Sequence, residues 1–257
     1  MISNDSGRRL KTTQTSLEIL TLILEHEGLT VAELDRMVSA SKSSICSHLN
    51  TLRDSRFLIK EGDTYQVGFR LALLGERAKA RYPREETVRE VVDGLAADTG
   101  QEANFTILEH GRLLLFYGSS DDEVSREDSL HYRSEYYLHN TAAGKAILAE
   151  LDRDRIEAIL DRWGLPRESE ATIANREQLF DSLEDVGSQD FVVADGEFAP
   201  GLVSVGAPVH DHTGDIVGGL SVGGPKFRLN MTRLETDIAD ELLDAVAALE
   251  ESLREER

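Results

Sequence analysis

Apolar residues recur at helical spacing in short segments near the start of the chain. The first segment, Thr15 to His26, predicts a helix, and Gly28 is placed to end it as a C-cap. A second segment begins at Thr30, where the sequence TVAE predicts a capping box closed by Glu33. The apolar positions expected to face the core in these two helices are Leu17, Leu20, Leu24, Val31, Leu34 and Val38.

A third helical segment follows the polar turn at 39–41 and runs to about Ser55, with Ile45, Leu49 and Leu52 facing inward. Three short helices with such a turn before the third are typical of a helix-turn-helix. From Phe57 to Val67, β-prone residues flank the turn-forming trio Glu61, Gly62 and Asp63, which predicts a hairpin, the wing.

Helical spacing returns from Phe69 to Ala80, and Pro83 interrupts it, so we place a domain boundary near residue 81. Residues 1–80 then form a winged helix-turn-helix with a linker helix, and residues 81–257 form a second domain. In that domain, helices are expected at 87–99, 141–151, 153–163, 176–186 and 231–254, and strands at 103–108, 113–117, 129–135, 191–194, 203–209 and 216–222. Helices that flank a mostly antiparallel sheet predict an α+β fold.

Charge separates the two predicted domains. Residues 1–79 carry 11 lysines and arginines against 10 aspartates and glutamates, whereas residues 80–257 carry the remaining 17 against 38. The net charge of −20 therefore does not argue against nucleic-acid binding by the first domain. Only 6 of the 28 basic residues are lysines, and this acidic, lysine-poor composition favours a halophilic protein.

The outward face of the third predicted helix is small and polar, which suits entry into a DNA major groove. Asparagine can pair bidentately with adenine, and a lysine in the first turn can contact phosphate. The candidate DNA-binding residues are Lys42, Ser43, Ser44, Ser47, Asn50 and Thr51, with Lys60 from the predicted wing. The alternative is a solvated helix face, which the preceding turn and the following hairpin disfavour.

The sequence resembles the IclR family of transcriptional regulators over nearly its whole length. The resemblance covers Thr15 to Gly75 in the first domain, and LHNTAAGKAILAEL (138–151) and VADGEFAPGLVSVGAPVHDHTGDIVGGLSVGGPKFRL (193–229) in the second. The motifs GKAILA, DGEFAPG, APV and LSVGGP, in that order, are its most specific part. The resemblance implies a GAF/profilin-like effector-binding domain, a dimer or tetramer, a palindromic operator, and a small, often carboxylate-bearing metabolite as effector.

A ligand site in the second domain is indicated by the residues and by the resemblance together. Thr141 is a natural N-cap, and the small residues after it leave backbone N–H groups open to an anion. The resemblance places the opposite wall in the DGEFAPG loop and the two strands after it. The candidate effector-binding residues are Ala143, Gly144, Asp195, Ser204, Ser221 and Gly223. Alternatively, Asp195 is a turn residue and the two serines bond to neighbouring backbone.

Four positions depart from the family pattern. Relatives often carry Arg or His where this chain has Cys46 and Ser47, so fewer charged contacts with DNA are expected. Many relatives have an acidic residue at Ala194 and some have Ser at Gly223, so a more apolar pocket is expected here.

Other chemistries are less well supported by the sequence. His210 and His212 are interpreted as part of a solvated turn rather than as metal ligands, and His139 as a cap or surface residue, with ligand contact left open. The glycines of GGLSVGG lack the spacing of a dinucleotide fingerprint, and no nucleophile elbow or phosphate loop is present. We therefore expect a cytoplasmic regulator, a repressor or an activator, without cofactor or metal. The alternatives are a small-molecule-converting enzyme with a winged docking domain, and a scaffold that uses its winged domain for protein contacts.

Overall fold

The computed structural model describes residues 8–82, 85–120, 135–186 and 189–254. The chain divides into two compact units, one within residues 4–82 and the other within residues 83–257. Among the described residues, no helix combines the length and the apolar character needed to cross a membrane.

Over residues 8–82, the first unit contains four helices and a small antiparallel sheet. Its elements are α1 (Lys11–Glu25), β1 (Leu29–Thr30), α2 (Val31–Met37), α3 (Lys42–Asp54), β2 (Leu58–Glu61), β3 (Thr64–Val67) and α4 (Arg70–Lys79). The sheet order is β1-β3-β2. The turn between β2 and β3 is tight because Gly62 adopts a φ of +60°, which glycine tolerates without strain.

The core of the first unit confirms the predicted inner faces of α2 and α3 but not that of α1. Leu34, Val38, Ile45, Leu49 and Leu52 are buried. In α1, however, Leu17 and Leu24 are each 58% exposed, whereas Ile19 and Ile23 are buried. The segment LEILTLIL offers two overlapping apolar stripes, and α1 buries the stripe that meets α3 and β3.

The predicted capping box is present at the start of α2. The Thr30 hydroxyl accepts a hydrogen bond from the Glu33 N–H at 3.3 Å, and the Thr30 N–H donates to Glu33 Oε2 at 2.8 Å. The end of α1 differs in detail from the prediction: Glu27 takes the left-handed position with φ +53°, Gly28 follows with φ +123°, and the Gly28 N–H donates to the Ile23 carbonyl. The two residues together form a Schellman motif.

The described residues of the second unit form a six-stranded antiparallel sheet in the order β6-β5-β4-β9-β8-β7. Its elements are α5 (Glu85–Thr99), β4 (Glu102–Glu109), β5 (Arg112–Ser119), β6 (Glu135–Tyr136), α6 (Ala142–Glu150), α7 (Arg153–Trp163), α8 (Arg176–Val186), β7 (Val192–Asp195), β8 (Leu202–His210), β9 (Ile216–Pro225), α9 (Met231–Glu235) and α10 (Asp237–Arg254). Helices α5 and α10 pack on each other and on the sheet, and α6 packs on β8 and β9. The mixed α+β architecture agrees with the prediction.

Two predicted elements of the second unit differ from the structure or cannot be compared with it. One predicted helix is divided into two, and one predicted strand lies almost wholly outside the described residues. The helix expected at 231–254 is two helices, because Thr236 leaves helical geometry with φ −117° and ψ −93°. The Thr236 hydroxyl donates to the Thr232 carbonyl at 2.8 Å, which satisfies an acceptor at the end of α9. The strand predicted at 129–135 lies outside the described residues except for Glu135, which begins β6.

Candidate functional sites

Helix α3 presents a polar face to solvent, as the sequence predicts. Ser41 caps the helix by accepting from the Ser44 N–H at 3.2 Å. Five of the six candidate residues on the helix are exposed and Ser44 is half-buried; the exposed ones are Lys42, Ser43, Ser47, Asn50 and Thr51. Apolar residues on the other side of α3 are buried in the core, so the exposed face is free to meet a partner.

Two hydroxyl groups on this face, those of Ser47 and Thr51, are already used as donors within the helix. Ser47 Oγ donates to the Ser43 carbonyl at 3.0 Å, and Thr51 Oγ1 donates to the Ser47 carbonyl at 2.9 Å. These hydroxyl oxygens keep lone pairs that accept hydrogen bonds, while Asn50 and Lys42 extend into solvent. The donors on this face that can reach acceptors on a partner are therefore chiefly Lys42 and Asn50.

A contact that the sequence analysis missed fixes the orientation of α3. The Ser16 hydroxyl of α1 and Nδ1 of His48 lie 2.8 Å apart, joining the two helices by a hydrogen bond. His48 is half-buried beside the exposed face rather than part of it. No periodic pattern marks this pair, because the two residues are far apart in sequence.

The hairpin carries Lys60, whose ammonium lies 5.3 Å from the centre of the Tyr65 ring. Further cations that sequence reasoning did not single out lie around a groove between the hairpin and α4. Arg70 is held there by a 2.7 Å bond from Nη1 to the Ser55 carbonyl. The other cationic side chains lining the groove are Arg53, Arg56 and Arg77. These arginines are spread over 25 residues of sequence, so the sequence alone does not show that they form a cluster.

The second unit encloses a cavity of about 100 Å³ between the sheet, α6 and the loop after β7. Strand register creates its floor: Glu102, Gly223, Ser204 and Ala194 are cross-strand neighbours in one row. Asn104 and Ser221 pair in the next row, two residues along, and therefore point to the same face. This volume is small compared with the roughly 300 to 1,000 Å³ of drug-sized ligand sites, so the cavity suits a compact metabolite.

The first turn of α6 approaches the sheet closely because glycine lies beneath it. A Cβ atom at Gly206 would lie 2.3 Å from the Ala143 nitrogen, and one at Gly219 would lie 2.9 Å from the Ala143 Cβ. Thr141, Ala142 and Ala143 thereby line the cavity. Thr141 occupies the predicted N-cap position but does not cap, since its hydroxyl donates to the Tyr137 carbonyl at 3.1 Å.

A buried ion pair stands at the cavity wall. Lys145 Nζ lies 2.7 Å from Glu197 Oε1, and both side chains are about nine-tenths buried. The backbone of Glu197 is fixed by Thr172 and Ser169, whose hydroxyls donate to its carbonyl at 2.6 and 3.2 Å. Glu197 Oε2 is buried and accepts no hydrogen bond from the described residues.

Four of the six predicted effector-binding residues line the cavity: Ala143, Ser204, Ser221 and Gly223. Gly144 does not, because it packs against the backbone of Leu138, where a Cβ would lie 2.3 Å from the carbonyl oxygen. Asp195 does not either. Strand alternation turns it away from Ala194 toward solvent, where it pairs with Lys226 at 2.6 Å.

The cavity lining combines apolar and polar residues, and the more apolar character expected relative to the family stays a prediction. Positions 194 and 223 carry Ala and Gly, whereas polar side chains of the cavity come from β4 and from the DGEFAPG loop. They include Glu102, Asn104, Thr106 and Glu197. In β4, polar residues at 102, 104 and 106 alternate with buried Ala103 and Phe105, and the sequence analysis predicted a strand here without using this alternation.

The predicted roles of two histidines need correction. His139 is buried, with Nε2 3.1 Å from the Pro166 carbonyl oxygen; burial lowers its pKa, and this hydrogen bond opposes the decrease only in part. His210 is not a solvated turn residue, since its ring bridges Glu250 on α10 and Glu150 on α6 at 2.8 and 2.7 Å. The described residues contain no cluster of three or more His, Cys, Asp or Glu suited to a metal ion.

Comparison with known proteins gives a consistent result. A family model described as bacterial transcriptional regulator IclR C-terminal matches residues 84–251. The probable HTH-type transcriptional regulator ArcR of Halobacterium salinarum is 31% identical over 96% of this chain and 95% of that protein. The HTH-type transcriptional regulator KdgR of Escherichia coli is 27% identical over 86% of this chain and 84% of that protein.

The fold also matches a solved structure, that of the IclR transcriptional regulator from Alicyclobacillus acidocaldarius. The TM-score is 0.77 at 20% sequence identity, covering 95% of this chain and 99% of that one. The likeness extends over both units of the chain and shows a shared fold.

Proposed function

Because this chain belongs to the IclR family of transcriptional regulators, we propose that its first unit binds duplex DNA and that its second unit binds a small effector that modulates this binding. The first unit is then a winged helix-turn-helix domain, spanning residues 1–80 with α4 as linker helix. Residues 81–257 form the effector-binding domain. The relatives are regulators of transcription, which disfavours the enzyme hypothesis.

The exposed polar face of α3 is the observation that carries the DNA-binding proposal. An α-helix fits the major groove, and Asn50 can donate to and accept from one adenine edge. Lys42 at the helix start suits a phosphate, whose charge the helix N-terminus also favours. Lys60 on the hairpin suits a second phosphate on the flanking backbone.

The same geometry supports a palindromic operator bound by a dimer or a dimer of dimers. One α3 spans only a few base pairs, so adequate specificity needs two half-sites about one helical turn apart. Such a protein acts where the DNA lies, which supports a cytoplasmic location.

The effector proposal depends on the enclosed cavity of the second unit. Its lining combines backbone N–H groups at the start of α6 with hydroxyl, amide and carboxylate groups, the mixture that orients a small polar metabolite. A carboxylate on the effector would meet the open first turn of α6.

A DNA-binding experiment on the full-length protein tests the proposal. We expect a protected palindrome in the region upstream of its own gene, measured by footprinting. Replacing Asn50 with alanine should weaken binding by roughly 5- to 150-fold and relax preference at one base pair, since a bidentate contact contributes about 1 to 3 kcal/mol. The matched control is Gln14→Ala, which removes an exposed amide from α1. Equal affinity and an unchanged footprint for Asn50→Ala, or no sequence-specific binding at any salt concentration, would contradict it.

A further inference from the structure

The charges around the effector cavity are unevenly distributed. Glu102 and Glu197 both line the cavity, and no lysine or arginine is among the described residues that line it. Lys145 is not among these lining residues. Its ammonium group donates a hydrogen bond to Oε1 of Glu197. Among the described residues, the charged side chains that line the cavity are therefore carboxylates.

The second oxygen of Glu197 requires a hydrogen-bond donor. Oε2 is buried without a partner among the described residues, and Glu197 as a whole is 8% exposed. A buried charged acceptor without a donor costs about 1 to 3 kcal/mol or more. Glu102 lies on the floor of the same cavity, where its Oε1 accepts from the Asn104 amide at 2.8 Å. This part of the cavity suits a ligand nitrogen that donates and carries positive charge.

The start of α6 has the opposite preference. Its first-turn N–H groups receive no bond from the Thr141 side chain, and Gly206 lets them approach the cavity floor. The partial positive charge of the helix N-terminus favours an anion there. A ligand with a carboxylate alone would satisfy this end and leave Glu197 Oε2 without a donor.

We infer that the effector is a small zwitterion, with a carboxylate at the α6 N-terminus and a cationic nitrogen, an ammonium or guanidinium, at Glu197 and Glu102. This inference rests on the proposed function, in which the cavity is the effector site. Hydrogen bonds between a cationic nitrogen and a carboxylate are short and charge-assisted, so the nitrogen supplies the donor that Glu197 Oε2 lacks among the described residues, and its positive charge suits a cavity lined by carboxylates. The cavity of about 100 Å³ limits the effector to a compact molecule of amino-acid size.

The inference is tested with three probes that differ only in their end groups: 5-aminopentanoate, pentanoate and pentylamine. The twenty protein amino acids extend the zwitterion set, and the matching carboxylic acids without the amine extend the acid set. Binding to the full-length protein is measured by calorimetry and by thermal stabilisation. We expect at least one zwitterion to bind roughly 10- to 100-fold more tightly than its matched acid, the ratio that one charged hydrogen bond supplies.

Glu102→Gln is the informative variant because it neutralises one cavity carboxylate and leaves the Lys145–Glu197 pair intact. It should reduce zwitterion affinity by roughly tenfold, about 1.4 kcal/mol, and leave acid affinity unchanged or higher. Glu109→Gln is the matched control, since it makes the same change on the same strand at an exposed position outside the cavity.

The outcomes separate this inference from the proposed function. If an acid binds as tightly as its zwitterion, or if Glu102→Gln leaves zwitterion affinity unchanged, the inference is overturned. The effector function survives that result if the bound acid changes operator affinity in a gel-shift assay. If no zwitterion binds at about 10 mM, the inference also fails, and operator footprinting then decides the DNA-binding function independently.

Discussion

His210 makes contacts between helices that its position in the sequence does not predict. Its ring joins two helices, because one nitrogen lies beside Glu150 on α6 and the other beside Glu250 on α10. Glu250 also accepts from the His210 backbone N–H at 2.9 Å and pairs with Arg254. Burial acts to lower the pKa of His210, but the hydrogen bonds and charges of the two glutamates outweigh it, so the pKa is raised above 6.5.

This raised pKa predicts a pH-dependent contribution of His210 to stability. The folded state holds the proton more tightly than the unfolded state, so the stabilisation is fully present below about pH 6.5 and is lost as pH rises through the folded-state pKa. The difference in unfolding free energy between the wild type and His210→Gln should therefore be larger at about pH 5.5 than at about pH 9 in urea titrations. His212→Gln, at an exposed position of the same turn, should change stability by less than about 0.5 kcal/mol at either pH. Equal differences at both pH values would contradict the role of the bridge.

At the scale of the element, the placement of α6 determines the cavity. The helix lies on β8 and β9 where these strands carry Gly206 and Gly219, and a side chain at either position would displace it. Its first turn lines the cavity, and Lys145, one turn further on, reaches Glu197. The close approach of helix and sheet thus brings the ion pair and the open N–H groups to one site.

Two glycine substitutions are expected to change stability in opposite directions, and the first of them tests this packing. Gly206→Ala should destabilise the second unit by about 1 to 3 kcal/mol and abolish effector binding, because its Cβ would overlap the Ala143 backbone. Gly94→Ala should instead stabilise the protein by about 0.5 to 1 kcal/mol, since Gly94 lies within α5 and a Cβ there meets no atom within 4 Å. Thermal unfolding measures both changes. A neutral Gly206→Ala would show that α6 is free to shift.

At the scale of the whole molecule, the acidic charge belongs almost entirely to residues 80–257, while residues 1–79 are nearly neutral. On the candidate DNA-binding residues, positive charge is limited to Lys42 and Lys60. Few counterions are then released when DNA is bound, and affinity must depend largely on shape and direct hydrogen bonds.

This distribution predicts a weak dependence of operator binding on salt. With two phosphate contacts for each first unit, a plot of log K against log salt concentration should have a slope of about −4 for a dimer, compared with about −10 for a strongly basic repressor. Lys42→Ala should make the slope shallower by about 1 for each unit, whereas Lys11→Ala, at the exposed start of α1, should leave it unchanged. A slope as steep as −10 would show that the arginines of the hairpin groove contact DNA as well.

The sequence by itself determined the elements and the exposed face of α3, because local spacing, capping boxes and turn residues act over a few positions. The helices α2, α3, α7 and α8, the hairpin at Gly62 and the strands expected at 103–108 and 113–117 agree with that prediction. Local spacing could not choose between the two apolar stripes of α1 or find the interruption at Thr236, since both depend on what packs against the helix.

Tertiary structure decided which residues share the cavity. Strand register places Glu102 beside Gly223, and Gly223 beside Ser204 on the next strand, although Glu102 is more than 100 positions from both in sequence. The same packing turns Asp195 outward and leaves Glu197 Oε2 buried without a partner among the described residues. Spacing along a chain carries no information about such long-range pairings, whereas burial and charge in the folded unit fix them.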